Sequence, residues 1–110
     1  MSNYQTNDVE EFSEIFKALS NPHRLSIFMR LARCAREEMP SNDDNQEICE
    51  CVGTLGKDLG IAPSTVSHHI KELRRAGLII IRRRGRTLEC SVNPDILDLL
   101  AAFFEPRVKI

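Results

Sequence analysis

The feature that most constrains this chain is the order of helical and extended patterns between residues 53 and 92. A short helical pattern over Thr54–Leu59 is followed by a break at Gly60–Ala62, and a second helical pattern covers Pro63–Gly77. Two apolar runs of the kind that form strands, Leu78–Ile81 and Thr87–Val92, then follow on either side of an arginine-rich segment. This order predicts two helices across a tight turn and, directly after them, a β-hairpin with a cationic tip.

The second helical pattern, Pro63–Gly77, has a clear start, a clear end and a single apolar stripe. Its first residue is proline, whose missing N–H is not needed in the first helical turn, and its last is glycine, which suits a left-handed C-cap. Its apolar residues Val66, Ile70 and Leu73 recur at spacings of four and three. That spacing is typical of an amphipathic helix with one buried face.

Polar residues occupy the remaining faces of this helix. We expect Ser64 and Thr65 to cap free amides at its start, where short hydroxyls can also approach a groove floor. Whichever of His68 and His69 faces the core is expected to be buried and hydrogen-bonded. A helix with merely solvated polar residues is the alternative, but the adjoining hairpin favours DNA contact. The candidate DNA-binding residues of this helix are Ser64, Thr65, Ser67, His68, Lys71 and Arg74.

Positive charge is concentrated at this helix and hairpin. The formal net charge of the chain is −1, so composition alone does not indicate a nucleic-acid partner. Residues 71–86 nevertheless hold seven bases against one acid, whereas residues 1–50 hold ten acids against five bases. Arginine binds phosphate in a bidentate manner, and four arginines around one turn repel one another unless an anion lies nearby. The candidate phosphate-binding residues of the hairpin are Arg82, Arg83, Arg84 and Arg86.

Together these patterns predict one mainly α-helical domain over residues 1–110, a winged helix-turn-helix with about five helices and two or three short strands. Apolar stripes predict a helix over residues 8–19 and another that begins at Asn21-Pro22. Asn93-Pro94 is the start signal for a last helix that extends to Phe104. Because that helix is apolar on more than one face, we expect it to meet a partner chain; deep burial within its own domain is the alternative.

The sequence contains no pattern typical of a membrane span, a signal peptide or an enzyme active site. No stretch approaches the roughly 20 apolar residues that span a bilayer, and the acidic start lacks a signal-peptide pattern. We therefore expect a cytoplasmic protein without a membrane partner. Because no phosphate-binding loop, nucleophile elbow or carboxylate pair is present, an enzyme is not expected. Residues 38–47 are predicted to form a solvated loop, and residues 48–52 a short extended segment.

Several segments of the chain match one known pattern together. They are residues 16–25 (FKALSNPHRL), 51–55 (CVGTL), 63–70 (PSTVSHHI) and 73–79 (LRRAGLI), with Gly85-Arg86 and Asn93-Pro94. In these segments the chain resembles the ArsR/SmtB family of winged helix-turn-helix repressors over nearly its whole length. The resemblance implies a homodimer held by the first and last helices, bound to a palindromic operator in double-stranded DNA. It also implies release from DNA by an inducer, usually a metal or metalloid ion.

The cysteines are the candidate inducer ligands, because the last helix lacks the histidine that the family's zinc site requires there. The resemblance aligns Cys51 with the first cysteine of the family's Cys-x-Cys motif, so the pair Cys49 and Cys51 is displaced by two residues. Alternate residues of a strand share a face, and two thiolates there can hold one soft ion of the arsenite type. Cys90 is the candidate third thiolate and Cys34 the reserve; a buried core position is the alternative for both.

Three functions remain open at this point. The leading one is a repressor that a soft metal or metalloid ion releases from DNA, with no cofactor required for DNA binding itself. The second is a repressor that senses oxidants or reactive sulfur through a disulfide between the same cysteines. The third is a winged-helix interaction module without an inducer.

Overall fold

The computed structural model describes residues 6–36 and 50–108. Its elements in chain order are α1 (Thr6–Leu19), α2 (Pro22–Arg36), β1 (Glu50–Cys51), α3 (Val52–Leu59), α4 (Pro63–Arg75), β2 (Ile79–Arg84), β3 (Thr87–Val92) and α5 (Pro94–Val108). The predicted fold class, mainly helical with a small hairpin, is confirmed. The predicted loop at residues 38–47 lies outside the described residues. Of the extended segment predicted at residues 48–52, residues 48–49 lie outside the described residues, Glu50–Cys51 form β1, and Val52 begins α3.

Two asparagines start helices as the sequence predicts. The Asn21 carboxamide oxygen accepts from the backbone N–H of His23 at 2.9 Å and of Arg24 at 3.1 Å. The Asn93 carboxamide oxygen accepts from the backbone N–H of Asp95 at 3.0 Å, which caps α5. The Asn93 side-chain amide also donates to the carbonyl of Gly77 at 2.9 Å, so one residue joins the start of α5 to the end of α4.

The ends of α4 confirm one expectation and correct another. Gly77 adopts φ +81°, and the N–H groups of Gly77 and Leu78 donate to the carbonyls of Arg74 and Leu73, which is a Schellman C-cap. The expectation that Ser64 and Thr65 cap the start is wrong. The N-cap is Ala62, which offers no side-chain acceptor, and proline at the next position removes one of the amides that need one. The two hydroxyl residues therefore lie inside the first turn.

The three strands form an antiparallel sheet in the order β1-β3-β2. β2 extends to Arg84, which pairs with Thr87 across a two-residue turn at Gly85-Arg86. The predicted strand at residues 78–81 was therefore too short. A two-residue turn pairs the residues on either side of it, so most of the arginines that looked like loop belong to the strand.

The core lies between helices α1 to α5 and the inner face of the sheet. Its fully buried side chains are Ile15, Ile27, Leu31, Leu55, Val66, Leu73, Leu78 and Cys90. The core therefore holds one side of α4 and leaves the other side outside. None of the helices in the described part of the chain is long and apolar enough to cross a lipid bilayer.

Close packing between α3 and α4 depends on Gly56. A Cβ atom there would lie 2.9 Å from a methyl group of Val66 and 3.0 Å from the backbone carbonyl of Ile61. Neither atom belongs to a flexible side chain, so Gly56→Ala should force the two helices apart and destabilise the fold by about 1–3 kcal/mol. Urea unfolding measures this, with the exposed Thr54→Ala as control in the same helix. Equal stability of Gly56→Ala and wild type would show that the turn tolerates a wider separation.

Candidate DNA-binding surface and thiol site

Helix α4 is anchored on one side and open on the other. Val66 and Leu73 are fully buried and Ile70 is nearly so, which fixes the rotation of the helix about its axis. The predicted DNA-binding residues of this helix are all exposed: Ser64, Thr65, Ser67, His68, Lys71 and Arg74. A rigid helix with exposed hydroxyl, imidazole and cationic groups has the chemistry to bond base edges and phosphates.

The hairpin of β2 and β3 forms the wing. Arg82, Arg83 and Arg86 are exposed, and Arg84 belongs to β2 directly before the turn. In the register of the hairpin, Arg82 lies opposite Glu89 and Arg83 opposite Leu88. Since successive residues of a strand alternate between faces, the wing presents guanidinium groups on both faces and at its tip. Such a hairpin is suited to phosphate contact.

His69 is the buried histidine of the α4 pair, at 6% exposure, whereas His68 is exposed. Burial lowers the pKa of His69 below its usual 6.5, and the charges of Arg24, His23 and His68 lower the pKa further. At neutral pH His69 is therefore uncharged. The sequence left the buried member of the pair open, and the signal that identifies it is spacing: His69 lies three residues after Val66 and four before Leu73, on the flank of the apolar stripe.

An aromatic cluster joins α1 to α5. The ring centroid of Phe103 lies 4.7 Å from that of Phe12 and 5.3 Å from that of Phe16, and Phe104 lies 6.2 Å from Phe16. The inner rings pack within the chain, but Phe104 remains 49% exposed, and Val9 on α1 60% exposed. An apolar surface with no cover in the single chain thus runs along the first and last helices, on the elements where the sequence predicts a dimer.

Of the four cysteines, Cys90 is the one whose side chain the structure describes. Cys90 is fully buried on β3, so its side chain faces inward. The register aligns Cys90 with Glu50 and aligns Cys51 with Glu89, so the two cysteines are offset by one residue. Cys49 lies outside the described residues. Cys34 and Cys51 belong to α2 and β1, and their side chains are not described. Within residues 6–36 and 50–108, no group of three or more potential ligand residues could hold a metal ion.

The sequence of this chain is similar to those of known bacterial regulatory proteins. A family model described as bacterial regulatory protein, arsR family, matches residues 45–80. The uncharacterised HTH-type transcriptional regulator YbzH of Bacillus subtilis is 33% identical over 96 residues, covering 86% of this chain and 96% of YbzH. The arsenical resistance operon repressor of Staphylococcus xylosus is 31% identical over 91 residues, covering 83% of this chain and 74% of that protein.

A solved structure has the same fold. The homodimeric winged helix-turn-helix DNA-binding domain of Mb0332 from Mycobacterium bovis superposes with a TM-score of 0.67, covering 99% of this chain and 91% of that domain, at 20% identity. The matched relatives are transcriptional regulators, which agrees with the expectation that this protein is not an enzyme. The chain belongs to the ArsR/SmtB family of winged helix-turn-helix transcriptional repressors.

Proposed function

We propose that this protein is a homodimeric cytoplasmic repressor that binds a palindromic operator in double-stranded DNA. Its two copies of α4 would read successive major grooves while the wings bind the flanking phosphates. The observation that carries this proposal is the anchored α4, whose apolar side is held in the core and whose polar side is exposed beside a cationic hairpin. Specificity would come from α4, and general affinity from the wing arginines.

The uncovered apolar surface of α1 and α5 supports the homodimer. Val9 is 60% and Phe104 49% exposed, which costs solvation free energy unless another chain covers them. A two-fold axis beside α5 would let the same surface cover itself. The homodimeric state of the Mb0332 domain supports the same assembly for this fold.

The test is selection of bound sequences from a pool of random DNA duplexes by the purified protein. We expect enrichment of an inverted repeat whose half-sites are about 10 base pairs apart, or a multiple of that spacing, centre to centre. We call a duplex that carries the enriched sequence the operator duplex. Failure to enrich any sequence over the starting pool would contradict the proposal, and enrichment of an unrepeated site would contradict its dimeric form.

Exposed residues near the start of α4 should carry base specificity. Ser67→Ala and His68→Ala are each expected to reduce discrimination between the operator duplex and single-base variants of it by about 1–3 kcal/mol per lost base contact. Competition binding across a panel of operator variants measures this, with exposed Ser26→Ala on α2 as control. An unchanged ranking of the variants would mean that these side chains contact only solvent or phosphate.

We also propose that a soft ion of the arsenite type is the inducer, held by Cys49, Cys51 and Cys90. Thiolates are the ligands that such ions prefer, and pairing of β1 with β3 places Cys51 on the strand next to that of Cys90. Cys90 has less support as a ligand than Cys49 and Cys51 have. It lies opposite Glu50 rather than opposite Cys51, and it is fully buried. Cys34 remains the reserve third ligand. An ion that favours the DNA-incompetent form by about 3–5 kcal/mol would empty most of the operator.

Substitution of the pair should uncouple induction from DNA binding. The double variant Cys49→Ser/Cys51→Ser is expected to bind the operator duplex normally but to remain bound when sodium arsenite is added. Fluorescence anisotropy of labelled operator duplex measures both properties, and Cys90→Ser and Cys34→Ser, measured in parallel, identify the third ligand. Full release of the double variant by arsenite would place the ion elsewhere.

The same assay separates the redox alternative. If hydrogen peroxide releases the wild type, if dithiothreitol restores binding, and if arsenite has no effect, the cysteines act as an oxidant sensor through a disulfide. Indifference to arsenite, other soft ions and peroxide alike would leave the winged-helix module without an inducer.

A further inference from the structure

A single guanidinium group, that of Arg24, touches both α1 and the recognition helix α4. Its Nε donates to the backbone carbonyl of Ala18 near the end of α1, at 2.7 Å. Its Nη1 lies 3.5 Å from Nδ1 of His69 on α4. Arg24 itself is held in the first turn of α2, where its backbone N–H donates to Asn21. The side chain is partly buried, so water competes only in part for these contacts.

The polarity of the contact with His69 follows from its chemistry. A guanidinium has only donors, so Nδ1 of His69 must accept, and the neutral ring carries its proton on Nε2. The lowered pKa of His69 keeps the ring in this form near neutral pH. Protonation of Nδ1 would remove the acceptor and add a positive charge beside Arg24. The rings of His23 and His68, each with its centroid 5.7 Å from that of His69, surround the contact.

Other charged groups lie around the same place. Arg24 lines an open cleft between α1, α2 and α4, and the other charged side chains of that cleft are Glu11, Glu14, Lys17, Glu72 and Arg75. The Arg75 guanidinium lies 3.5 Å from the Glu72 carboxylate, so these two side chains already interact with each other on α4. Arg24, by contrast, bonds residues of two different helices, Ala18 on α1 and His69 on α4.

We propose that Arg24 is a positioning residue for operator recognition, which fixes α4 relative to α1 through Ala18 and His69. This inference rests on the proposed function, in which α1 belongs to the dimer interface and α4 enters the DNA. The separation of the two α4 helices in the dimer then depends on the angle between α1 and α4. Arg24 would therefore affect operator binding through that angle and not by contacting the operator.

A change in helix separation has a signature that simple loss of stability lacks. Arg24→Gln is expected to weaken binding to the operator duplex by about tenfold, and to weaken binding much less to a duplex with one added base pair between the half-sites. The preference for the selected spacing should therefore flatten. The control is Arg33→Gln, which removes an exposed charge from the same helix and should leave both affinities unchanged.

Variants of His69 test the second half of the link. His69→Asn keeps an acceptor close to the position of Nδ1 and should retain the spacing preference, whereas His69→Phe keeps a ring without an acceptor and should lose it. The double variant Arg24→Gln/His69→Phe should be no worse than Arg24→Gln alone, because Arg24→Gln already removes the contact with His69.

The measurements are made well below the unfolding temperature of each variant, so folded protein is compared throughout. If Arg24→Gln weakened both duplexes equally, or if His69→Asn and His69→Phe behaved alike, Arg24 would be a stabilising residue and the inference would be wrong. If the wild type itself had no spacing preference, the proposed function would fail first, which separates the two claims.

Discussion

A Phe104→Glu variant is expected to be a monomer that has lost most of its affinity for the operator duplex. Phe104 lies on the uncovered surface of α1 and α5 at 49% exposure, and its ring meets that of Phe16 at the edge of the aromatic cluster. A two-fold axis repeats every substitution, so two uncompensated carboxylates would enter the interface. The dimer dissociation constant should rise by at least about a hundredfold.

Sedimentation velocity at micromolar concentration measures this effect, with operator binding measured on the same samples. The matched control is Met29→Glu, which places the same charge on a side chain of 54% exposure on α2, away from the aromatic cluster. The control should remain dimeric and bind DNA. A Phe104→Glu protein that is still dimeric, or a wild type that is monomeric, would remove α1 and α5 from the interface.

Neutralising the wing should produce the second large effect. Arg83 and Arg86 are exposed on β2 and in the turn, so the double variant Arg83→Gln/Arg86→Gln removes four positive charges from a dimer. If each contacts one phosphate, the slope of log affinity against log salt concentration should flatten by about 3–4. Operator affinity near physiological salt should fall by up to about a thousandfold.

Loss of phosphate contacts has a second consequence. Binding to unrelated DNA should weaken by a similar factor, because phosphate contacts carry no sequence information. Titrations at several salt concentrations, on operator and unrelated duplexes, measure both quantities. The control Lys17→Gln/Arg33→Gln removes as many charges from α1 and α2 and should keep the wild-type slope. A wing variant that lost operator affinity alone would have lost base contacts instead.

Much of the fold was predictable because local chemistry and tertiary structure agree. Asn21 and Asn93 each cap the helix whose start the Asn-Pro pair predicted. Gly77 adopts the left-handed conformation expected of a glycine that follows the last turn of a helix. Cys90 is buried because alternation along a strand with one inward face leaves it no other position. These features depend on neighbours within a few residues.

One error concerns a feature that depends on a distant part of the chain, and another a choice between neighbouring residues. The length of β2 is fixed by its pairing with β3. The arginines of β2 belong to the strand because they pair with β3, although a run of charged residues does not by itself indicate a strand. The second error is local: Ser64 and Thr65 looked like caps, but the helix begins at Pro63 with Ala62 as its N-cap. The candidate thiol site stays a prediction, and it depends on the register of β1 against β3, where a shift of one residue exchanges the faces. No short-range pattern in the sequence fixes that register.

Hydroxyl-radical footprinting of the wild-type protein on the operator duplex tests the central claim, that an α4 pair reads DNA while the wings hold its backbone. The expected result is protection of sugars on both strands with two-fold symmetry, in two half-sites whose centres lie about 10 base pairs, or a multiple, apart. Protection should extend outward from each half-site to the phosphates beneath the wings, and Arg83→Gln/Arg86→Gln should lose that outer protection alone. Protection of a single continuous site without symmetry, or outer protection unchanged by the wing substitutions, would contradict the account.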